Sequence, residues 1–230
     1  MTDGTPKHIG FILDGNRRWA KQNGLTTFVG HKKGYENFKD IAQYCFDIGI
    51  KNVSAYVFST ENWNRNKREV GYLMRLLKKA LVEQTKELGG KGIKIKVLGI
   101  KTKLDPKIKE LIKSTEKSTA KNTKGTINLC LNYGGRIEIV EAVKKIIKEK
   151  IPTNKINEKV LSEHLWTANQ PDPDIVIRTS GEMRLSGFLP WQSVYSEFYF
   201  PKKMWPEFGK TDLNKILADY SKRHRRFGGN

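Results

Sequence analysis

Residues 8–19 read HIGFILDGNRRW, and the fold turns on where that stretch changes character. From His8 to Leu13 the chain is mostly apolar and carries no formal charge; it then breaks abruptly into Asp-Gly-Asn-Arg-Arg. An apolar run of that length, closed by a polar turn, is the pattern of a strand buried on both faces. In an open α/β sheet, ligands bind where strands give out into loops at the carboxyl edge. Asp14, Gly15, Asn16, Arg17 and Arg18 therefore stand where chemistry is usually done. Their composition suits a phosphorylated ligand. Gly15 admits close backbone approach, Asn16 and the neighbouring amides donate hydrogen bonds, the arginines neutralise oxyanions, and Asp14 can hold a divalent metal or a proton. The competing reading of this stretch alone is a strand followed by an Asp-Gly turn with solvated arginines.

Outward from it, strand-like and helix-like segments alternate. After a loop containing Gly30 and His31, Tyr35 to Ile48 has helical spacing and stops before Gly49. Asn52 to Phe58 reads as a second strand, Glu69 to Leu88 as a long helix closed by Gly89 and Gly90, and Ile93 to Leu98 as a third strand. Pro106 opens a helix. Thr126 to Asn132 is a strand running into Tyr133, Gly134, Gly135 and Arg136, followed by a helix over Ile137 to Lys150. The short β-branched run Ile175 to Ile177 ends in Arg178, Thr179, Ser180 and Gly181. This rhythm predicts an α/β fold with a central, mainly parallel sheet flanked by helices. No repeat, low-complexity tract or Gly/Ser linker divides the chain, so residues 1–230 are expected to form a single domain. Ile151 to Pro173 holds three of the eight prolines and reads as connector with a short helix.

A chain of 230 residues can bury a core without disulfides or structural metal. Cys45 and Cys130 lie in apolar stretches with no ligand spacing around them, which predicts reduced core thiols. The 43 basic residues against 24 acidic ones give a formal charge of +19 and favour anionic partners. Lys78, Lys79, Lys107, Lys109, Lys113, Lys144, Lys145 and Lys148 are spread over helical faces, and no zinc-finger, RRM or basic-zipper signature accompanies them. No nucleic acid is therefore expected as partner; peripheral contact with anionic membrane headgroups suits the same basicity. No apolar run reaches the ~18 residues of a membrane span, and MTDGTPK has no signal-peptide core, so a cytoplasmic protein is expected.

Four strand ends carry polar clusters: DGNRR, FSTENWNR, NYGGR and IRTSGEMRLS. A parallel sheet puts all four on one edge. Arg18, His31, Arg65, Arg136, Arg178 and Arg184 are expected to converge there with Ser59, Asn62 and Ser186 on more than one phosphate group, because the guanidinium fork grips two oxygens at once. Walker, GxGxxG and GxSxG sequences are absent, and His31 has no serine or cysteine partner in sequence. The inventory points to diphosphate binding with metal and acid–base assistance, not to a covalent intermediate.

In that order, with GHKKG, FLPWQ, YSEFYF, WPEF and the terminal RRFGG, these motifs resemble the cis-prenyltransferases, the undecaprenyl diphosphate synthase family. The resemblance covers nearly the whole chain. It implies a parallel sheet of about six strands, an apolar product tunnel and a homodimer. It also implies an Mg2+-dependent enzyme that condenses isopentenyl diphosphate with an allylic prenyl diphosphate to give a Z-polyprenyl diphosphate. By the resemblance, Asp14 is catalytic and binds Mg2+ with the allylic diphosphate, which Gly15, Asn16, Arg17 and Arg18 cradle beside Trp19 and His31. Ser59, Thr60, Glu61, Asn62, Trp63 and Arg65 form the second motif, in which Asn62 assists removal of the proton. Arg178, Arg184, Leu185 and Ser186 resemble the isopentenyl site, and Glu197 its Mg2+-associated carboxylate. Thr27, Met183, Gly187 and Pro190 depart from the family pattern. They leave irregular, head-to-middle coupling as an alternative, and a non-catalytic subunit of a heteromeric enzyme as another, against which the intact DGN and ENW motifs argue. Tyr35 and Phe38 are candidates for limiting product length.

Overall fold

In the computed structural model, residues 5–223 are described; the terminal RRFGG motif lies outside them. The chain forms β1 (His8–Ile12), α1 (Asn16–Gln22), α2 (Thr27–Asp47), β2 (Asn52–Ser59), α3 (Lys67–Gly90), β3 (Ile93–Leu98), α4 (Pro106–Thr119), β4 (Gly125–Tyr133), α5 (Gly135–Lys148), α6 (Glu158–His164), β5 (Ile175–Arg178), β6 (Glu197–Tyr199) and α7 (Lys210–Tyr220). The strands make one six-stranded sheet in the order β3-β4-β2-β1-β5-β6. Every pairing is parallel. From β1 to β5 sequential strands return by helical crossovers, whereas β5 reaches β6 through a loop without a helix; all five residues of β1 are buried.

Alternate residues of β1 feed two cores. Ile9 and Phe11 join the larger cluster, with Phe38 and Ile41 from α2, Leu77 and Leu81 from α3, and Leu213 from α7. Ile12 faces the smaller cluster, with Tyr133, Val176, Phe188 and Leu189. Each such aliphatic or aromatic side chain contributes on the order of 1.5–3 kcal/mol when fully withdrawn from water. Asp105 caps α4 by accepting from the Lys107 amide, with Pro106 at the first helical position.

Two segments differ from the sequence expectation. Gly30 and His31 do not lie in a loop: α2 begins at Thr27 and contains both. Gly30 and Gly34 sit one turn apart on the face of α2 that meets α1. A Cβ on Gly30 would stand 2.2 Å from the Asn16 carbonyl oxygen, and one on Gly34 2.1 Å from Asn16 Oδ1. These glycines serve close packing instead of breaking the helix. Likewise Gly89 and Gly90 belong to α3, and the chain reverses at Gly92 with φ 86°.

Candidate active site

The carboxyl ends of β1, β2, β4 and β5 open together on a cavity of about 1560 Å³. One end is polar. Asp14, two residues beyond β1, accepts through Oδ2 from Arg178 Nη2 at 2.8 Å and Nε at 3.3 Å, and through Oδ1 from Arg18 Nη2 at 3.3 Å. Arg178 ends β5 opposite Ile12 and is buried. Its Nη1 donates to Ser186 Oγ at 2.7 Å and to the Arg184 carbonyl at 2.6 Å, so one guanidinium joins the β1 turn to the loop after β5. Thr179 adds a hydroxyl bond to the Asp14 carbonyl. Burial pushes the Asp14 carboxyl up, but the hydrogen bonds and charge of Arg178, with the charge of Arg18, outweigh it and hold the group below the ordinary aspartate value.

A second cluster gathers on Glu69, in the first turn of α3 and buried. Its Oε1 accepts from His31 Nε2 at 3.0 Å and Arg65 Nη1 at 3.2 Å, with Arg17 Nε 3.9 Å away. Burial depresses the His31 imidazolium, and the charges of Arg65 and Arg17 add to it against the pull of Glu69. The His31 contact at neutral pH is thus a hydrogen bond of the neutral ring, with Nε2 as donor. Sequence reasoning passed over Glu69. The signal was an acidic residue in the first turn of α3 four residues after Arg65, near enough along the chain for the two charges to pair across the start of the helix.

Asn62 lies in a single 3₁₀ turn, Thr60–Asn64, where its Oδ1 accepts from the Ser59 amide at 3.1 Å and fixes the orientation of its side chain. Ser59, Thr60, Glu61 and Asn62 all line the cavity, with Gly15, Asn16, Arg17 and Arg18. Arg136 lines it too, from the N-terminus of α5, and has no ion-pair partner among the described residues. Away from these groups the wall becomes apolar: Leu73, Met74, Leu77 and Ala80 from α3, Leu129 and Leu131 from β4, and Phe38 with Tyr35 from α2. An anion-binding mouth continuous with a hydrocarbon-lined interior fits an amphipathic ligand with a charged head.

A family model described as putative undecaprenyl diphosphate synthase matches residues 12–228. The chain belongs to this family. The prenyltransferase is 42% identical over 233 residues to an isoprenyl transferase of Clostridium perfringens, covering 100% of this chain and 92% of that protein. It is 44% identical over 228 residues to a ditrans,polycis-undecaprenyl-diphosphate synthase ((2E,6E)-farnesyl-diphosphate specific) of Micrococcus luteus, covering 97% and 92%. Among solved structures it is similar to lavandulyl diphosphate synthase from Lavandula x intermedia in complex with dimethylallyl diphosphate. That pair has a TM-score of 0.93 and 37% identity, over 98% of this chain and 99% of that one. A probable undecaprenyl diphosphate synthase from Campylobacter jejuni gives a TM-score of 0.81 and 30% identity, over 97% and 98%.

Five residues expected at the site of this prenyltransferase lie outside the cavity lining. Trp19 donates its indole N–H to Glu207, and Trp63 packs edge-on against Phe58 while donating to Asn132 Oδ1 at 2.8 Å. Arg184 pairs its side chain with Glu182 and gives the site only its carbonyl. Leu185 packs against the smaller core. Glu197, on the outer strand β6, is neutralised by Arg223 and does not stand beside Asp14. Of the departures from the family pattern, Thr27 and Gly187 line the cavity, and Met183 is 78% exposed. Pro190 packs so closely on Gly135 that a Cβ there would meet Pro190 Cδ at 2.0 Å. With the Gly135 amide donating to the Gly187 carbonyl, this contact seats the loop after β5 on the start of α5.

Among the described residues no group of three or more carboxylate, imidazole or thiol side chains gathers as a ready-made metal cage. Asp14 nevertheless suits Mg2+, which keeps most of its waters and binds through one or two carboxylates completed by substrate phosphates.

Proposed function

We propose that this prenyltransferase joins isopentenyl diphosphate to an allylic prenyl diphosphate and releases diphosphate, lengthening the product with Z double bonds, and that residues 1–230 form its single catalytic domain. The observation that carries this reading is the cavity itself, arginine-rich at the strand ends and hydrocarbon-lined along α3. Gly15, Asn16, Arg17 and Arg18 would cradle the allylic diphosphate with His31 and Arg65, while Arg178 and Ser186 hold the isopentenyl diphosphate. As the allylic C–O bond breaks, its electron pair leaves with the diphosphate, and the arginine donors stabilise that growing charge. The isopentenyl double bond then forms the new C–C bond, and a proton lost from the adjacent carbon restores the alkene. Asn62, with its amide already oriented, assists that departure. Mg2+, when held by Asp14 and the phosphates, neutralises part of the leaving charge.

The same reading extends to assembly and location. Val140, Val143 and Ile147 leave an exposed apolar stripe on α5, and β6 is a short outer strand; both suit a homodimer interface. Leu25, Phe28 and Val29, each about 40% exposed, stand beside the cavity mouth with Lys32 and Lys33 one turn on, a composition suited to cytoplasmic protein resting on an anionic membrane surface. No helix among the described residues is long and apolar enough to cross a membrane.

The deciding experiment incubates protein and Mg2+ with isopentenyl diphosphate plus dimethylallyl, geranyl, farnesyl or geranylgeranyl diphosphate, with products resolved by mass and NMR. Regular Z-polyprenyl diphosphates are expected, and loss of at least about 100-fold in rate for Asp14→Ala. Branched products would replace this reading with head-to-middle coupling. No product from folded protein would replace it with a partner subunit.

A further inference from the structure

Strand β2 is irregular where it reaches the cavity. Its register with β4 slips between Tyr56 and Phe58, and again between Phe58 and Ser59. Residues two apart on a regular strand share a face, yet Tyr56 packs against the smaller core while Phe58 belongs to the larger. A bulge of this kind re-aims a side chain. Here it leaves Tyr56 on the face where Phe188 and Leu189 of the loop after β5 pack, and in the wall of the cavity. The Tyr56 ring stacks on Phe188 at 5.2 Å. Phe188 is itself fully buried against Gly10 of β1, where a Cβ would stand 2.9 Å from its ring. The Tyr56 hydroxyl shares its one proton between two carbonyls, that of Tyr133 at the end of β4 at 3.2 Å and that of Ser186 at 3.3 Å. The Ser59 hydroxyl also bonds to the phenol. Burial, with the charge of Glu61, raises the phenol well above its ordinary pKa, so it stays a donor throughout the neutral range.

The loop it grips needs holding. Ser186, Gly187 and Leu189 have φ of 50°, 82° and 45°, so three of four consecutive residues lie in the left-handed region and two of them carry a Cβ. Such conformations persist only where the surroundings enforce them. The Gly135 amide fixes the Gly187 carbonyl at 2.8 Å, and Arg178 Nη1 fixes Ser186 Oγ at 2.7 Å. Tyr56 supplies the hold on the Ser186 backbone from the sheet beneath. Because Ser186 Oγ accepts from Arg178, its own proton is left for a phosphate oxygen. We propose that Tyr56 is the positioning residue for isopentenyl diphosphate: its hydroxyl keeps Ser186 in the left-handed turn that sets Oγ beside Arg178, ready for the diphosphate. The inference rests on the prenyl-joining activity proposed above and assigns Tyr56 to the isopentenyl half of the site, not the allylic half.

Tyr56→Phe removes the hydroxyl and keeps the ring on Phe188. Phe188→Leu is its control, since it thins the packing under the same loop and leaves the hydroxyl in place. Steady-state rates would be measured with Mg2+, isopentenyl diphosphate and whichever of dimethylallyl, geranyl, farnesyl or geranylgeranyl diphosphate the wild type uses best. Tyr56→Phe is expected to raise KM for isopentenyl diphosphate about tenfold, the scale of one lost hydrogen bond, while KM for the allylic diphosphate and the melting temperature stay near wild type. Phe188→Leu should lower the melting temperature further and move that KM less. An unchanged isopentenyl KM in Tyr56→Phe, an equal rise in both KM values, or a larger isopentenyl effect from Phe188→Leu overturns the proposal and leaves the joining activity intact. Calorimetry with isopentenyl diphosphate and Mg2+ supplies a readout independent of turnover. A wild type that binds isopentenyl diphosphate but joins it to no donor overturns the joining activity alone, and the Kd of Tyr56→Phe then decides the role of the hydroxyl: about tenfold weaker supports it, equal to wild type refutes it. A wild type that neither binds nor joins isopentenyl diphosphate overturns both.

Discussion

At Glu69 three basic side chains, His31, Arg65 and Arg17, share one carboxylate, and all three line the cavity. Burial works against the Glu69 carboxylate, yet the His31 hydrogen bond and the charges of Arg65 and Arg17 bring its pKa below the ordinary glutamate value. It is therefore an anion throughout the neutral range and acts as a positioning residue for the diphosphate mouth. Glu69→Gln keeps the size and one acceptor but removes the charge. Steady-state kinetics should show about a tenfold loss of kcat/KM for the allylic diphosphate, equivalent to about 1.4 kcal/mol, with the circular dichroism unchanged. An unaltered kcat/KM would reduce Glu69 to packing. Motif order did not predict which neighbours turn inward. Arg65 and Trp63 are two residues apart, yet Arg65 faces the cavity while Trp63 packs on Phe58 beneath it. Side-chain direction within a 3₁₀ turn is set by the packing it meets, which a sequence does not display.

Between α1 and α2 the site depends on how closely two helices approach. At Gly30 the obstacle to a side chain is the Asn16 backbone oxygen, which cannot rotate aside. Gly30→Ala should cost about 1–3 kcal/mol and weaken substrate binding by displacing the Asp14–Arg18 turn. Gly71→Ala, on a stretch of α3 where the nearest atom to a new Cβ is Arg75 Nη1 at 3.7 Å, should be neutral or stabilising by up to about 1 kcal/mol. Thermal denaturation of the pair separates the effects, and equal melting temperatures would deny the close-packing role. The strands were legible because parallel strands buried on both faces read as plain apolar runs: Ile93 to Leu98 is β3 to the residue. What escaped the sequence was helical. The seven residues of α1 are too few to show a period, and glycine at two positions one turn apart reads equally as a breaker or as a packing face.

Across the whole molecule the sheet is tied at its opposite end by His8. Its Nδ1–H donates to the Pro171 carbonyl at 2.7 Å, and its Nε2 accepts from the Ser54 hydroxyl at 2.8 Å, which in turn accepts from Asn128 at 3.0 Å. Beginning and connector are thereby joined through β1, β2 and β4. Burial lowers the His8 pKa from 6.5 to about 4. The unfolded chain takes up this proton near pH 6.5 and the native protein only near pH 4, so the unfolded state binds more protons in that window. Stability from His8 is complete above pH 6.5 and lost as the pH falls towards 4, by about 3 kcal/mol in total. Denaturant unfolding at several pH values should follow that slope, and His8→Gln should flatten it; an unchanged slope would assign the acid sensitivity elsewhere. At the other edge of the sheet, three arginines of the cavity meet their first counter-charges within the protein, Asp14 for Arg178, Glu182 for Arg18 and Glu69 for Arg65, while Arg136 has none among the described residues. The mouth is in effect an ion exchanger loaded with its own carboxylates. A diphosphate enters by trading places with them instead of displacing dissolved salt, so its affinity should decline with ionic strength more gently than a surface carrying +19 would otherwise dictate.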